Sequence, residues 1–345
     1  MSRPAQPVRW ILPIAAAVLA CGCGRPAGIV FEPLETPLFW PPPPETAQIH
    51  YVGVIESDAD LKPAVTLGQI LFGRDPIRTM LSPYAIATDD QSRLFVCDSN
   101  AQVVHVFNLE DRSYEQWRPP EWAPAFAQPV GIAYGGAGPW LVVSDALAGT
   151  IFVFDGAGAY QGQVGAAEAA RPCGVAFDTA GRLYAADAGT HEVLVFSADG
   201  VLERRVGGRG TGPGEFNYPT NVAIDLGGRL YVSDTLNARV QVFDAALRFE
   251  RQIGSKGDLP GYFSQPKGLA LDSDDHLYVV DAHFECVQVF TPDGQLLLSV
   301  GNEGRGPGEF WLPAGIHIDA DDRIWIADTY NRRVQVLDYR PEVVP

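Results

Sequence analysis

Residues Pro219–Phe243 read PTNVAIDLGGRLYVSDTLNARVQVF: three short runs rich in Val, Ile and Tyr (NVAID, RLYVSD, ARVQVF) separated by turn-forming residues. Alternation over so few residues, punctuated by Gly, Asn and Asp, specifies three antiparallel strands. The phrase returns at Pro313 (PAGIHIDADDRIWIADTYNRRVQVL), Pro266 (PKGLALDSDDHLYVVDAHFECVQVF) and Pro172 (PCGVAFDTAGRLYAADAGTHEVLVF), with weaker copies from Pro129 and Pro83. The opening prolines are spaced by 46, 43, 47, 47 and 47 residues. A fourth run (YQGQVG, LERRVG, FERQIG, LLLSVG) closes most copies at Gly165, Gly207, Gly254 and Gly301. Four strands per unit in six units predict an all-β chain, a six-bladed β-propeller of four-stranded antiparallel blades.

The pattern P-x-G-[VIL]-A-x-D, then R-L-Y-V-x-D, then T-x-N-x-R-V-Q-V-F resembles the NHL repeat, whose members are mostly six-bladed propellers. The likeness covers residues 83 to 345. Its Asp-Thr-x-Asn-x-Arg element is complete only at Asp234, Asn237, Arg239 and at Asp328, Asn331, Arg333; Val103, Thr150, Glu192 and Cys286 stand in the Arg position elsewhere.

The sixth copy runs out of strand at Leu337 and needs an outer strand from another part of the chain. The run Ile49–Ile55 (IHYVGVI), just ahead of the first copy, has the right length and character. We therefore expect the N-terminal strand 49–55 to close the last blade, which removes two exposed strand edges and couples the ends of the ring. The six repeats would then fill 83–337 of a propeller domain spanning 49–345.

Ahead of that domain, Arg3 and Arg9 precede an apolar run, Trp10 to Ala20, too short to span a bilayer, and Val18-Leu19-Ala20-Cys21 resembles a bacterial lipobox. Residues 1–20 read as a lipoprotein-type signal peptide and Cys21 as the lipidated residue. Gly22 after the cysteine favours the outer membrane of a bacterial envelope, on its periplasmic or surface side. Residues 21–48, with Pro41 to Pro44 after Trp40, read as an extended polyproline spacer without sheet ladder. Between 57 and 82 the pattern predicts a short helix from Pro63 to Phe72 and a linker.

The 345 residues are 46 % hydrophobic and 19 % charged, with 36 glycines and 28 prolines, as many short strands and turns require. Net charge is −17 at pH 7; losing residues 1–20 leaves 23 Lys and Arg against 42 Asp and Glu, a charge of −19. No basic run is present to neutralise phosphates, which argues against nucleic acid as a partner. Cys97, Cys173 and Cys286 fall in three different copies and predict no disulfide among them.

Repetition separates scaffold from site. Asp98, Asp145, Asp187, Asp234, Asp281 and Asp328 end the second strand of every copy, so they are read as structural turn acceptors, not as a metal ring. The loops GGRGTGPGEFNYP, GSKGDLPGYFSQP and GNEGRGPGEFWLP lack the Lys-Ser/Thr of a phosphate loop and precede strands; they read as blade crossovers with Phe216, Phe263 and Phe310 as plugs. Residues that differ between copies gather at the mouth: Tyr84, Cys173, Thr220, Asn221 and Lys267 at the start of innermost strands, and Asn100, His191, His283, Tyr330 and Arg332 in the turns. His317 lies in the channel.

Two functions follow. The first is a membrane-anchored extracytoplasmic scaffold, a monomeric propeller that holds a protein or peptide partner at its mouth, with a lipid anchor as its only membrane contact and no cofactor expected. The second is a metal-dependent hydrolase or lyase, because similar propellers include gluconolactonase-like hydrolases and peptide-amidating lyases. Those imply an inner-channel Glu, Asn and Asp set or a His-coordinated divalent metal; the available histidines are His191, His283 and His317.

Overall fold

The computed structural model describes residues 28–42, 46, 48–64, 76–89 and 91–340. They form six antiparallel sheets arranged as blades of a ring, almost without helix. Blade 1 comprises Pro83–Thr88, Arg93–Asp98, Val103–Asn108 and Ser113–Trp117, ordered from channel to rim. Blades 2 to 5 repeat this order, with innermost strands Pro129–Gly135, Pro172–Phe177, Pro219–Ile224 and Pro266–Leu271. Blade 6 starts from the short strand Ile316–Ile318 and takes its fourth strand from Ile49–Ile55.

That fourth strand pairs antiparallel with Arg333–Tyr339, from Ile49 opposite Tyr339 to Ile55 opposite Val334. The third strand thus runs two residues beyond Leu337. Ile49 and Ile55 are fully buried, one against blade 5 and blade 6 residues, the other with Trp325 and Val336 of blade 6 and Val96 and Phe107 of blade 1. The closure is therefore both a hydrogen-bonded ladder and an apolar seal between the first and last blades.

One expectation about the front of the domain needs revision. Phe39–Trp40 forms a fifth strand on blade 6, pairing with His50 and Ile49, and Trp40 packs on the core between blades 5 and 6. Phe31 meets Trp325 edge-on at 6.1 Å, and the Lys62 ammonium donates to the Ile29 carbonyl and to Glu32. The proline-rich stretch is bound along blade 6 over its described part because two aromatic residues find an exposed strand edge that composition does not reveal. Between Ser57 and Lys62 the only helix is a single 3-10 turn, Asp58–Leu61. The helix expected over 63–72 falls mainly on residues outside those described, as do residues 1–20, read as a signal peptide, and Cys21. No described helix is long and apolar enough to cross a membrane.

The Asp at the end of each second strand joins neighbouring blades. Asp98 accepts the N–H groups of Leu81 and Ser82 from the incoming crossover and of Asn100 and Ala101 from its own turn. Asp145, Asp187 and Asp281 do the same at their positions. Burial alone would raise the Asp98 carboxyl, but the bonds from His105 and from the backbone N–H groups of Ala101, Leu81 and Ser82 outweigh it and hold its pKa below the usual range.

In blades 4 and 6 the clamp is extended. Arg333 binds Asp328 through Nε at 2.7 Å and donates to the carbonyls of Arg305, Gly306 and Glu309, while Asn331 reaches Gly304 and Gln335 reaches Glu309. Arg239, Asn237 and Gln241 repeat the arrangement on Asp234 and on the loop 210–215. These two glycine-rich crossovers spend carbonyls on the arginine, with Phe216 and Phe310 wholly buried beneath them, and Phe263 is buried likewise under the blade 5 crossover, which Gln288 holds. The acidic turns are equally committed. Asp272 accepts the N–H groups of Asp274 and His276 and the Tyr278 hydroxyl, and Asp322 accepts from Ser273.

Candidate functional site

Pairing of Pro83 with Asp98 and of Val104 with Trp117 places the start of each innermost strand, the Asp turn and the outgoing crossover on one face of the ring. Here the channel opens. The residue after each proline in blades 1, 3, 4 and 5 carries the polar groups of the mouth: Tyr84, Cys173, Thr220 and Lys267, all half-buried. One residue deeper, Gly131, Gly174, Gly268 and Gly315 let adjacent strands approach so closely that a Cβ on Gly131 would stand 2.1 Å from the Cys173 carbonyl. Blade 4 puts Asn221 at this level, and its Oδ1 accepts the N–H of Val222. Below lies a channel cavity of about 240 Å³ where aliphatic side chains such as Ala87, Val175, Val222, Leu269 and Ile316 share the wall with polar groups, among them Asn221 and His317.

Lys267 reaches past blade 6 and lays its ammonium 5.5 Å from the centre of the Tyr84 ring. Arg171, in the crossover before Cys173, stacks its guanidinium 5.6 Å over Tyr218. Burial raises the Tyr84 hydroxyl far above its ordinary range, with further contributions from Cys173 and Tyr218 and an opposing one from Arg171, so these groups share one neighbourhood. Burial likewise lowers the Lys267 ammonium and lifts the Cys173 thiol to about 11, which leaves that thiol protonated and a poor nucleophile. Cys97 and Cys286 are buried, and all three cysteines are free.

The other mouth candidates divide by role. Asn100, His283, Tyr330 and Arg332 are exposed on the turns, and Tyr330 packs on Trp311 at 5.5 Å. His191 is occupied: its Nδ1 accepts the N–H of Tyr218 at 3.0 Å, tying the blade 3 turn to the start of blade 4. Thr220 bonds Thr235 at 2.6 Å, and Thr235 donates to the Pro266 carbonyl. The structure does not bring the three histidines together. His191 and His283 lie on different blades of the mouth face. His317 lies toward the opposite opening, where Thr88 Oγ1 is 2.8 Å from its Nε2. Among the described residues no three His, Cys, Asp or Glu side chains converge as metal ligands.

Sequence reasoning missed three mouth or near-mouth residues. Arg171 and Tyr218 sit in crossovers that vary in length, so comparing copies gives no register for them. His105 was legible: it stands where three other copies have Gln241, Gln288 and Gln335. It lies fully buried between Asp98 (Nε2 to Oδ2, 3.2 Å) and the Tyr114 hydroxyl (Nδ1, 2.7 Å).

A family described as 6-bladed beta-propeller (DUF5128) matches residues 175–228, 225–285 and 270–340. A search of curated proteins gives no match. Among solved structures the chain is similar to an auxiliary nutrient binding protein from Bacteroides thetaiotaomicron (12% identity, TM-score 0.61, covering 76% of this chain and 70% of that one). It is similar also to a gluconolactonase from Xanthomonas campestris (19%, 0.59, 76% and 87%) and to virginiamycin B lyase from Staphylococcus aureus (16%, 0.56, 75% and 95%). At these identities the likeness is one of fold alone.

Proposed function

We propose that this chain is a bacterial envelope protein, lipidated at Cys21 and favouring the outer membrane, whose monomeric propeller holds a protein or peptide partner on its mouth face. The observation that carries this reading is the distribution of exposed apolar groups. Leu147, Leu236 and Tyr330 stand exposed on the Asp turns of this face, with Trp311 packed beside Tyr330. Single exposed apolar residues are ordinary, but aromatic and leucine side chains gathered on one face and interspersed with polar groups have the composition of an interface. The opposite opening has a cavity of about 690 Å³ edged by Asp89, Glu110, Asp319 and Asp321 with Arg93 and Arg323, over Leu109, Tyr134, Ile318 and Trp325. The metal-dependent hydrolase or lyase reading would need ligands from beyond the groups described.

The test is co-purification from gently crosslinked envelopes of wild type and of a triple variant, Leu147→Glu, Leu236→Glu and Tyr330→Glu, all at exposed positions. A defined partner is expected with wild type and not with the variant, with unchanged melting of the variant. A partner retained equally by both, or none with either, contradicts the reading. Cys21→Ser should release the protein from the membrane fraction.

A further inference from the structure

Resting on the mouth as the binding face, we propose that Lys267 and Arg171 form a receptor for a single carboxylate whose apolar body enters the channel. Most described cations of this acidic protein find an acidic or carbonyl partner, and those that do not, such as Arg78, Arg209, Lys256, Arg305 and Arg332, are exposed to water. Arg239 and Arg333 are fully engaged in their clamps, and Arg93, Arg182, Arg229 and Arg323 pair with aspartates. Lys267 and Arg171 do not. Among the described residues neither side chain has a hydrogen-bond acceptor, and each instead lies over a tyrosine ring. The Arg171 Nε is buried with no partner at all. The Tyr84 hydroxyl, in the same neighbourhood, also lacks a protein partner among the described residues.

A half-buried cation without an anion forgoes most of its solvation and gains only the modest attraction of a ring face. Two such cations at one opening create a local positive potential inside a strongly negative molecule, which a ligand can discharge. Its chemistry is set by what surrounds them. A guanidinium fork matches a planar carboxylate in two parallel bonds, and the lysine adds a point charge. Asp187, which accepts the Arg171 backbone N–H, does not pair with the guanidinium, and its oxygens already take four backbone N–H groups from Ala170, Arg171, Gly189 and Thr190. The glycines at the mouth are consumed by close strand contact and offer no nest of free N–H groups such as a phosphate would seek. Behind the cations the channel cavity, about 240 Å³, has room for a small group and presents aliphatic side chains such as Val175, Val222 and Leu269 among polar surface of similar extent. A free C-terminal carboxylate following an apolar side chain has this chemistry, as does a small carboxylic acid.

The experiment uses the purified protein and 4-fluorobenzoate as probe, with fluorine NMR line broadening read against protein concentration and 4-fluorobenzamide as the uncharged isostere. Broadening of the acid, competed by benzoate and absent for the amide, is expected. Lys267→Met and Arg171→Met should each weaken binding tenfold or more, and Lys267→Arg should retain it, with melting temperatures measured for every variant. Equal binding by the amide, or binding unaffected in both methionine variants, overturns the proposal. So does no broadening at millimolar wild-type protein, even where the mouth face still captures its partner by crosslinking. If a methionine variant fails to fold, the comparison of acid with amide on wild type decides alone.

Discussion

Replacing Arg333 tests whether the Asp-Asn-Arg-Gln clamp holds blade 6 in place. Its side chain is 8% exposed and its partner Asp328 wholly buried. Arg333→Met removes the Nε bond to Asp328 and three bonds to the carbonyls of Arg305, Gly306 and Glu309. Bonds to charged groups contribute about 1.5–3 kcal/mol each, yet they cannot simply be summed, since water re-solvates part of the freed loop. Asp328 keeps the N–H of Trp311 and the amides of Asn331 and Gln335, so its charge is left undercompensated and not bare. Removing one partner of a buried pair costs about 3–5 kcal/mol, and the remaining bonds place Arg333→Met toward the lower end. Blade 5 shows the minimal clamp. Cys286 stands in the Arg position there, while Gln288 still takes the N–H of Gly261 and donates to the Tyr262 carbonyl. Arg333→Lys should recover little, because one ammonium cannot reach a carboxylate and three carbonyls in a fork. The assay is equilibrium urea unfolding of both variants and of Asp328→Asn with Arg333→Met. A loss of about 3 kcal/mol, reduced in the double variant, is the expected result. A loss below about 1 kcal/mol, or full recovery by lysine, would refute the reasoning.

Three further outcomes follow. Ile55→Ala, at a fully buried position of the closing strand, should cost about 2–5 kcal/mol, and deletion of 49–55 should lower the melting temperature far more; an unchanged melt would disprove closure by this strand. His317 is held neutral by burial, its pKa lowered to about 4 against an ordinary value of about 6.5, with Asp319 opposing. Because the unfolded chain takes that proton first, stability present above pH of about 6.5 should drain away toward pH about 4, and His317→Gln should flatten the melting profile over that window; identical profiles would contradict it. Asp275 occupies a left-handed turn position, φ 63°, that Gly181 and Gly228 fill in blades 3 and 4, so Asp275→Gly should stabilise by about 0.5–1 kcal/mol in a urea titration, a loss counting against the turn assignment.

The blades were readable because each copy must solve the same local problem. A proline starts the inner strand, a glycine allows the tight approach beside it, an aspartate ties the turn, and V-x-V-F fills the space between sheets. The closing strand was readable by subtraction, since three strands in the last copy demand a fourth. What stayed hidden arises from tertiary context without a repeat. Phe39 and Trp40 look like part of a polyproline run until Ile49–Ile55 presents its edge, and Arg171 and Tyr218 acquire meaning only where crossovers from different blades converge on Tyr84. In the sequence His191 was a mouth residue and one of three histidines available to a metal. Its left-handed turn position, φ 61°, and the bond to the Tyr218 N–H show what its ring does in the fold.

The most direct test of the mouth as working face is photo-crosslinking in living cells, with a photoreactive amino acid at exposed Tyr330 on the mouth and, separately, at exposed Leu226 on the opposite face. A defined adduct from position 330 and none from 226 is what the account predicts. Adducts from 226 alone would place the partner on the other side of the ring and contradict it.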